Sequence, residues 1–310
     1  MKVLVTGGAG YIGSVLVPLL LQRADQVIVI DNFMYNQTSL LDCCHDRHFM
    51  IIRGDARDKN LIAEQLKKVD VIIPLACLTG APLCSKDPIG ARTTNFDAIK
   101  MIVDLRSKGQ IVIFPTTNSG YGIGEKGICC TEETPLRPIS LYGRLKVEIE
   151  KVLLDSGNCI TLRFATVFGA SPRMRLDLLV NDFTYRAVMD HFLILFEAHF
   201  KRNYLHVRDA ARTFTHCLEH FDDMKNEPYN VGLSDANLSK LELCEEIKKQ
   251  VPDFYFVEAS VGKDPDKRDY IVSNAKIEAT GFKPNYSLQD GVSELIKGYQ
   301  IIKNKQFSNI

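Results

Sequence analysis

Tyr142 and Lys146 lie four residues apart in the run Ser140-Leu141-Tyr142-Gly143-Arg144-Leu145-Lys146, a spacing that puts a phenol and an ammonium on one helix face. Spacing alone carries little, because a chain with 11 tyrosines repeats it at Tyr299 and Lys303. Position separates the two pairs. The first follows Thr117 and the run Asn118-Ser119-Gly120-Tyr121-Gly122 at the end of an apolar strand, where open α/β sheets place their ligands. The second sits near the C-terminus with no such strand before it. A free tyrosine titrates near pH 10, and a neighbouring ammonium favours its ionised form. Tyr142 is therefore a candidate general base, Lys146 the charge that tunes it, and Thr117 a hydroxyl that would hold the reacting oxygen.

A second chemistry opens the chain. Residues 2–6 form an apolar strand that runs into Gly7-Gly8-Ala9-Gly10-Tyr11-Ile12-Gly13 and then a helical pattern. In such a turn Gly7 permits the tight bend, Gly10 lets backbone N–H groups approach a pyrophosphate, and Gly13 lets helix and strand pack closely, while the helix N-terminus adds partial positive charge. Asp31 ends the second strand, eighteen positions after Gly13. A carboxylate there accepts hydrogen bonds from ribose hydroxyls and repels a 2′-phosphate, which points to NAD rather than NADP.

These residues need a scaffold, and the first half of the chain supplies its pattern. Short Val/Ile/Leu runs at 2–6, 26–31, 49–54, 69–74, 110–115 and 159–164 alternate with amphipathic stretches at 11–22, 61–67, 89–106 and 139–154, the signature of a parallel sheet covered on both faces. The expected fold is α/β: a Rossmann-type doubly wound parallel sheet over residues 1–169, followed by a smaller C-terminal substrate-binding lobe over 170–310. A short strand at 204–207 is expected to return to the main sheet, and residues 303–310 to fray. Lys plus Arg equals Asp plus Glu at 38 each, so no basic stripe is expected to track nucleic acid. No run reaches the length of a membrane span, and Met1 leads straight into a strand, so a cytoplasmic protein is expected. The 9 cysteines include the adjacent pairs Cys43-Cys44 and Cys129-Cys130, without zinc or redox spacing. Cys77, Cys84, Cys159, Cys217 and Cys244 read as small buried apolar residues, and no metal is expected.

The Gly-x-x-Gly-x-x-Gly spacing, with Asp31, Thr117, Tyr142 and Lys146 behind it, resembles the extended short-chain dehydrogenase/reductase family, in particular its nucleotide-sugar epimerase and dehydratase branch. The resemblance implies further cofactor contacts: Tyr11, Ile12 and Asn32 along the dinucleotide, Asp55 and Ala56 at the adenine, Leu75 and Ala76 beside the nicotinamide half, and Asn95 bracing the helix that follows it. It implies that Tyr142 takes the proton of a sugar hydroxyl while the carbon gives hydride to NAD, that Lys146 also holds the nicotinamide ribose, and that Asn118 and Ser119 face the sugar. Asn181, Arg202 and Arg268 match positions that hold a nucleotide diphosphate, and Arg173 would also face a phosphate. It further implies a homodimer, with helices 89–106 and 139–154 paired across a two-fold axis.

Family members that remove water between C4 and C6 carry Asp-Glu directly after the position of Thr117. Asn118 and Ser119 stand there instead, and neither side chain exchanges a proton near neutral pH, which argues against a 4,6-dehydratase. Oxidation at C4 is left, ending either at the ketone or in return of hydride to the opposite face. The runs 115–122, 171–175 and 264–270 look most like a narrower bacterial group that oxidises C4 of GDP-manno-heptose for capsular polysaccharide. The alternatives are a UDP-hexose 4-epimerase and a non-catalytic NAD-binding regulator; the last is expected to lack Tyr142 or Lys146.

Overall fold

A computed structural model of the chain describes residues 1–23, 25–125, 127–259 and 268–302. The first lobe runs β1 (Lys2–Thr6), α1 (Gly13–Gln22), β2 (Gln26–Asp31), β3 (Phe49–Arg53), α2 (Lys59–Leu66), β4 (Val71–Pro74), α3 (Ala81–Lys86), α4 (Pro88–Arg92), α5 (Ala98–Leu105), β5 (Ile111–Thr117), β6 (Cys129–Cys130), α6 (Leu141–Ser156) and β7 (Cys159–Phe164). The chain continues through β8 (Thr166–Phe168), α7 (Leu179–Met189), β9 (Phe192–Leu195), β10 (Lys201–His206), α8 (Val207–Glu219), α9 (Phe221–Met224), β11 (Glu227–Val231) and β12 (Asn237–Ser239). The last elements are α10 (Lys240–Gln250), β13 (Tyr255–Glu258), β14 (Ile271–Val272), α11 (Ala275–Glu278) and α12 (Leu288–Gly298).

The main sheet has seven strands in the order β11-β7-β5-β4-β1-β2-β3, parallel throughout. Its inner strands β1, β2, β4 and β5 read as largely apolar runs because both faces are covered. Val3 and Val5 of β1 join the core beneath α1 and α8, while Leu4 points the other way into the core beneath α2, α5 and α6, the period-two alternation of a strand. Strand order reverses between β1 and β4, which opens a crevice at the carboxyl ends of those strands. The glycine turn and the end of β5 both come out there.

The second lobe is a separate core of α7, α10 and α12 with three small sheets: β12-β10-β8, β13-β9 and β14-β6. Here the structure corrects three expectations. Strand 204–207 does not return to the main sheet; β10 pairs with β8 and β12, and β11 is the seventh main strand, beside β7. The division at residue 169 is crossed again, because Ala210, Phe214, Val231, Ile277 and Phe282 pack into the first lobe's core. The helix expected over 89–106 is broken by a π-helical turn at Thr93–Asp97 between α4 and α5, a widening that side-chain periodicity does not reveal. All nine cysteines are free thiols. Cys77 is half-buried rather than buried, and Lys303 with the tail 303–310 lies outside the described residues. Among the described residues no helix is long and apolar enough to cross a membrane.

Candidate functional site

A cleft of about 610 Å³ runs from the glycine turn, past the ends of β4 and β5, to the second lobe. At its first end the backbone does most of the shaping. Gly7 sits at φ 70°, and a Cβ there would lie 2.5 Å from the Ala76 nitrogen; a Cβ on Gly13 would lie 2.4 Å from the Gly8 carbonyl oxygen. Only glycine leaves room at these positions for the turn to close on β4. Asp31 is buried and its carboxylate accepts from the Ala9 N–H at 3.0 Å, the Phe33 N–H at 2.8 Å and the Gln37 amide at 3.2 Å. Burial raises its pKa against those hydrogen bonds. The carboxylate thus fastens the glycine turn as well as facing the cleft. Gly10, Tyr11, Ile12, Asn32, Ala56, Leu75 and Ala76 line the same end. Asp55 lines it too, paired with Arg57 at 2.6 Å and held below the usual carboxylate range by that guanidinium. A glycine cradle that admits no Cβ, with a carboxylate at the second strand's end, fits an adenine dinucleotide with unsubstituted ribose hydroxyls.

Asn95 does not reach the cleft. Its amide accepts from Leu78 N–H and donates to Leu78 C=O, each at 2.8 Å, so it clasps the segment after β4 that carries Leu75 and Ala76. The π turn brings it there. It is a positioning residue for the cofactor wall and not a cofactor contact.

At the middle of the cleft Thr117 ends β5, and Tyr142 and Lys146 occupy successive turns of α6, whose N-terminus is capped by Ser140 accepting from Gly143 N–H at 3.1 Å. All three side chains line the cleft. Lys146 is buried, donates to the Pro115 carbonyl at 2.8 Å and lies 4.3 Å from the Phe114 ring centroid; burial lowers its pKa. Tyr142 departs from expectation: in the protein alone its pKa is raised, first by burial and then by the nearby Cys77 and Cys84 thiols. The opposing positive charges are those of Arg175 and Arg268. Helical spacing aligned the two residues, but the Lys146 ammonium is turned to the β5 backbone. A cationic cofactor ring bound beside Tyr142 would supply the charge that favours its phenolate. Thr117 donates to the Ser119 hydroxyl at 2.9 Å, and Arg268 donates to that same Ser119 hydroxyl.

Beneath this layer lies a buried charge network. Glu150, one turn beyond Lys146, accepts from Thr116 at 2.7 Å and pairs with Arg163 at 2.7 Å. Arg163 reaches Tyr121, which donates to Asn230 at 2.7 Å. Burial holds the Tyr121 phenol up at about 12, so it stays a donor.

The second lobe contributes Arg202 and Arg268 to the cleft. Arg202 is buried, donates to the Lys201 carbonyl at 2.9 Å and lies 5.8 Å from the Tyr270 ring centroid. Arg173 also lines it but lies over Tyr35, 4.5 Å from the ring centroid, and its charge acts on Asp31. It belongs to the cofactor end rather than to the far end where a sugar diphosphate was expected. Two further residues are corrected. Asn181 is fully buried, accepts from Gly169 N–H at 2.9 Å and donates to the Arg175 carbonyl at 2.8 Å, holding backbone instead of facing the cleft. Asn118 is buried beside Thr117 with no hydrogen-bond partner for its amide among the described residues, and it too does not line the cleft. Tyr11, kept protonated by burial, donates to the Gly169 carbonyl at 2.6 Å, so both the N–H and the C=O of Gly169 are held by side chains.

The sequence profile of the NAD dependent epimerase/dehydratase family matches residues 3–232. The chain belongs to that family. NAD is accordingly its cofactor, and the glycine cradle and Asp31 are where this member of the NAD dependent epimerase/dehydratase family would hold it. Among curated proteins it is 29% identical over 315 residues to the low-salt glycan biosynthesis protein Agl12 of Haloferax volcanii, covering 96% of this chain and 98% of that one. It is 26% identical over 323 residues to the UDP-glucose 4-epimerase of Lactobacillus helveticus, covering 94% of each. Among solved structures, DesIV of Streptomyces venezuelae, a dTDP-glucose 4,6-dehydratase with NAD bound, superposes with a TM-score of 0.85 at 25% identity, over 100% of this chain and 99% of that one. The UDP-glucose 4-epimerase of Thermotoga maritima gives a TM-score of 0.86 at 24% identity over 97% and 99%, a likeness of fold.

Several cleft residues escaped the sequence reading. Tyr35 and Gln37 follow β2 in a loop with no motif, Cys77 looked like a core thiol, and Lys240 is a buried lysine that opens α10. Arg175, paired with Asp177 at 3.2 Å, had a signal, since it stands two residues after Arg173 in the same arginine-rich run.

Proposed function

We propose that this chain oxidises C4 of a nucleotide-linked sugar, and that the sugar is GDP-manno-heptose, converted to its 4-keto form for capsular polysaccharide in the cytoplasm. The observation that carries the reading is the meeting of Thr117, Tyr142 and Lys146 in one cleft with the glycine turn. Tyr142, as phenolate, takes the proton from the C4 hydroxyl; Thr117 turns its hydroxyl from Ser119 to that oxygen and holds it in line. Lys146, anchored on the Pro115 carbonyl, binds the ribose side of the cofactor, and Arg202 and Arg268 receive the diphosphate. NAD, when bound, accepts the hydride. Asn118 and Ser119 offer no acid or base for elimination, so water is not lost. The heptose and the guanine nucleotide are supported by the runs 115–122, 171–175 and 264–270, of which residues 264–267 lie outside the described ones.

The test is purified protein with NAD and a panel of GDP- and UDP-sugars, read by mass spectrometry and NADH absorbance. A 4-keto GDP-heptose with stoichiometric NADH supports the reading. A C4 epimer of a UDP-hexose without net NADH favours 4-epimerisation instead, the activity named for the Lactobacillus helveticus relative. Binding of NAD with no turnover of any sugar nucleotide would move the chain to the regulator class. A second copy would pack against α4, α5 and α6, where Ile89 of α4 and Ile139 just before α6 are exposed at 78% and 43%; sedimentation should then give a dimer.

A further inference from the structure

Two thiols meet in the wall of the cleft, on the carbonyl of Leu78. Cys77 lines the cleft and is half-buried, whereas Cys84, in α3, is fully buried. The Leu78 oxygen receives the Asn95 amide at 2.8 Å, the Cys84 thiol at 3.1 Å and the Cys77 thiol at 3.5 Å. A carbonyl has two lone pairs for these three donors, and the longest contact, that of Cys77, is the weakest. Both sulfurs touch one oxygen atom, so they lie no further apart than the sum of their distances to it. The chain between them turns at Gly80, where φ is 98° and a Cβ would meet only Pro82 at 3.8 Å; glycine changes its backbone angles at little steric cost. The two thiols differ in what reaches them. Lys146, besides its bond to Pro115, also hydrogen-bonds Cys77, and an adjacent ammonium favours the thiolate, the form that attacks an oxidant. Burial pushes the Cys84 thiol up to about 12, so Cys84 stays protonated.

We propose that Cys77 and Cys84 form an oxidation site in the cofactor wall, where hydrogen peroxide oxidises Cys77 and Cys84 closes on it as a disulfide. The Cys77 sulfur attacks one peroxide oxygen and the O–O bond breaks; Cys77 becomes a sulfenic acid, and the other oxygen leaves as water. The Cys84 sulfur then attacks the Cys77 sulfur. The S–S bond forms, the S–O bond breaks, and the departing hydroxide takes the Cys84 proton to give a second water. Two electrons pass from the thiols to the peroxide. A disulfide has no S–H, so both sulfurs give up Leu78, and drawing Cys77 toward Cys84 displaces the peptide that Asn95 clasps. That clasp holds the segment carrying Leu75 and Ala76, so oxidation weakens NAD binding. By reciprocity, bound NAD favours the dithiol.

Hydrogen peroxide, added in small excess to the reduced, NAD-free protein, tests this without any sugar, so the outcome is independent of the substrate proposed above. Peptide mass mapping should show residues 77 and 84 crosslinked with loss of two hydrogens. NAD affinity, read by calorimetry, should fall about tenfold and return with dithiothreitol. In a buffer of reduced and oxidised dithiothreitol, saturating NAD should shift the pair toward the dithiol by the same factor. Cys77→Ser should keep its NAD affinity through the peroxide treatment, which separates this pair from the exposed Cys44 and Cys129 thiols. Cys84→Ala should stop at a Cys77 sulfenic acid that dimedone traps. Cys77 left unmodified while Cys44 and Cys129 oxidise, or Cys77→Ser losing NAD affinity as the unaltered chain does, overturns the site. Oxidation of Cys77 in the unaltered chain with Cys84 still a free thiol overturns the disulfide.

Discussion

At the cofactor end the surface offered to a ligand is mostly main chain: Gly7 at φ 70°, turns too close for any Cβ at Gly7 or Gly13, and a carboxylate, Asp31, that spends two of its hydrogen bonds on the protein's own N–H groups. At the sugar end it is side chains drawn from β5, α6, β10 and the segment at Arg268. The first end tolerates few substitutions because each changes the path of the backbone. The second can exchange side chains over an unchanged backbone, and so the fold accommodates several reactions.

That contrast can be broken by mutation. Tyr142→Phe removes the proton acceptor and nothing of the fold; kcat should fall about 10³-fold, within the range for loss of a general base, with an unchanged melting temperature. Because the phenol acts deprotonated, activity should rise with pH through its pKa; with the Lys146 ammonium turned to Pro115, Lys146→Met should leave that rise at the same pH while weakening NAD binding, and a shift of the rise to higher pH would restore Lys146 to the tuning role. Glu150→Ala strands Arg163 in the interior and should cost about 3–5 kcal/mol of stability, read by denaturant unfolding. A cost below about 1 kcal/mol would mean that the sugar end does not rest on this pair. Gly7→Ala should cost about 2 kcal/mol through backbone strain and contact with Ala76, and should weaken NAD binding more than tenfold; retention of full affinity would show that the cradle adapts. Asp55→Asn, at a half-exposed pair, should change stability by less than about 1 kcal/mol and NAD affinity by a few-fold at most.

The parallel sheet was readable from sequence because burial on both faces leaves continuous Val/Ile/Leu runs, and the glycine turn because its requirement is steric. β11 was not readable: Glu-Pro-Tyr-Asn-Val carries a proline and two polar residues, and only its place beside β7 makes it the seventh strand. Asn95 and Asn181 share one difficulty. An amide that holds backbone and an amide that holds ligand are the same residue type, and the choice between them is made by tertiary packing. Tyr142 and Lys146 were correctly placed on one helix face, but the direction of the ammonium, toward Pro115, depends on where β5 ends.

Gly169 carries a consequence for how the enzyme moves. Its N–H is held by Asn181 of the second lobe and its carbonyl by Tyr11 of the first, at the point where the chain passes between them. Bending there would break both hydrogen bonds, each worth about 1 kcal/mol, so the crossover resists bending. Any change in the angle of the two cleft walls that bends the chain at Gly169 then carries the loss of these two hydrogen bonds as a cost.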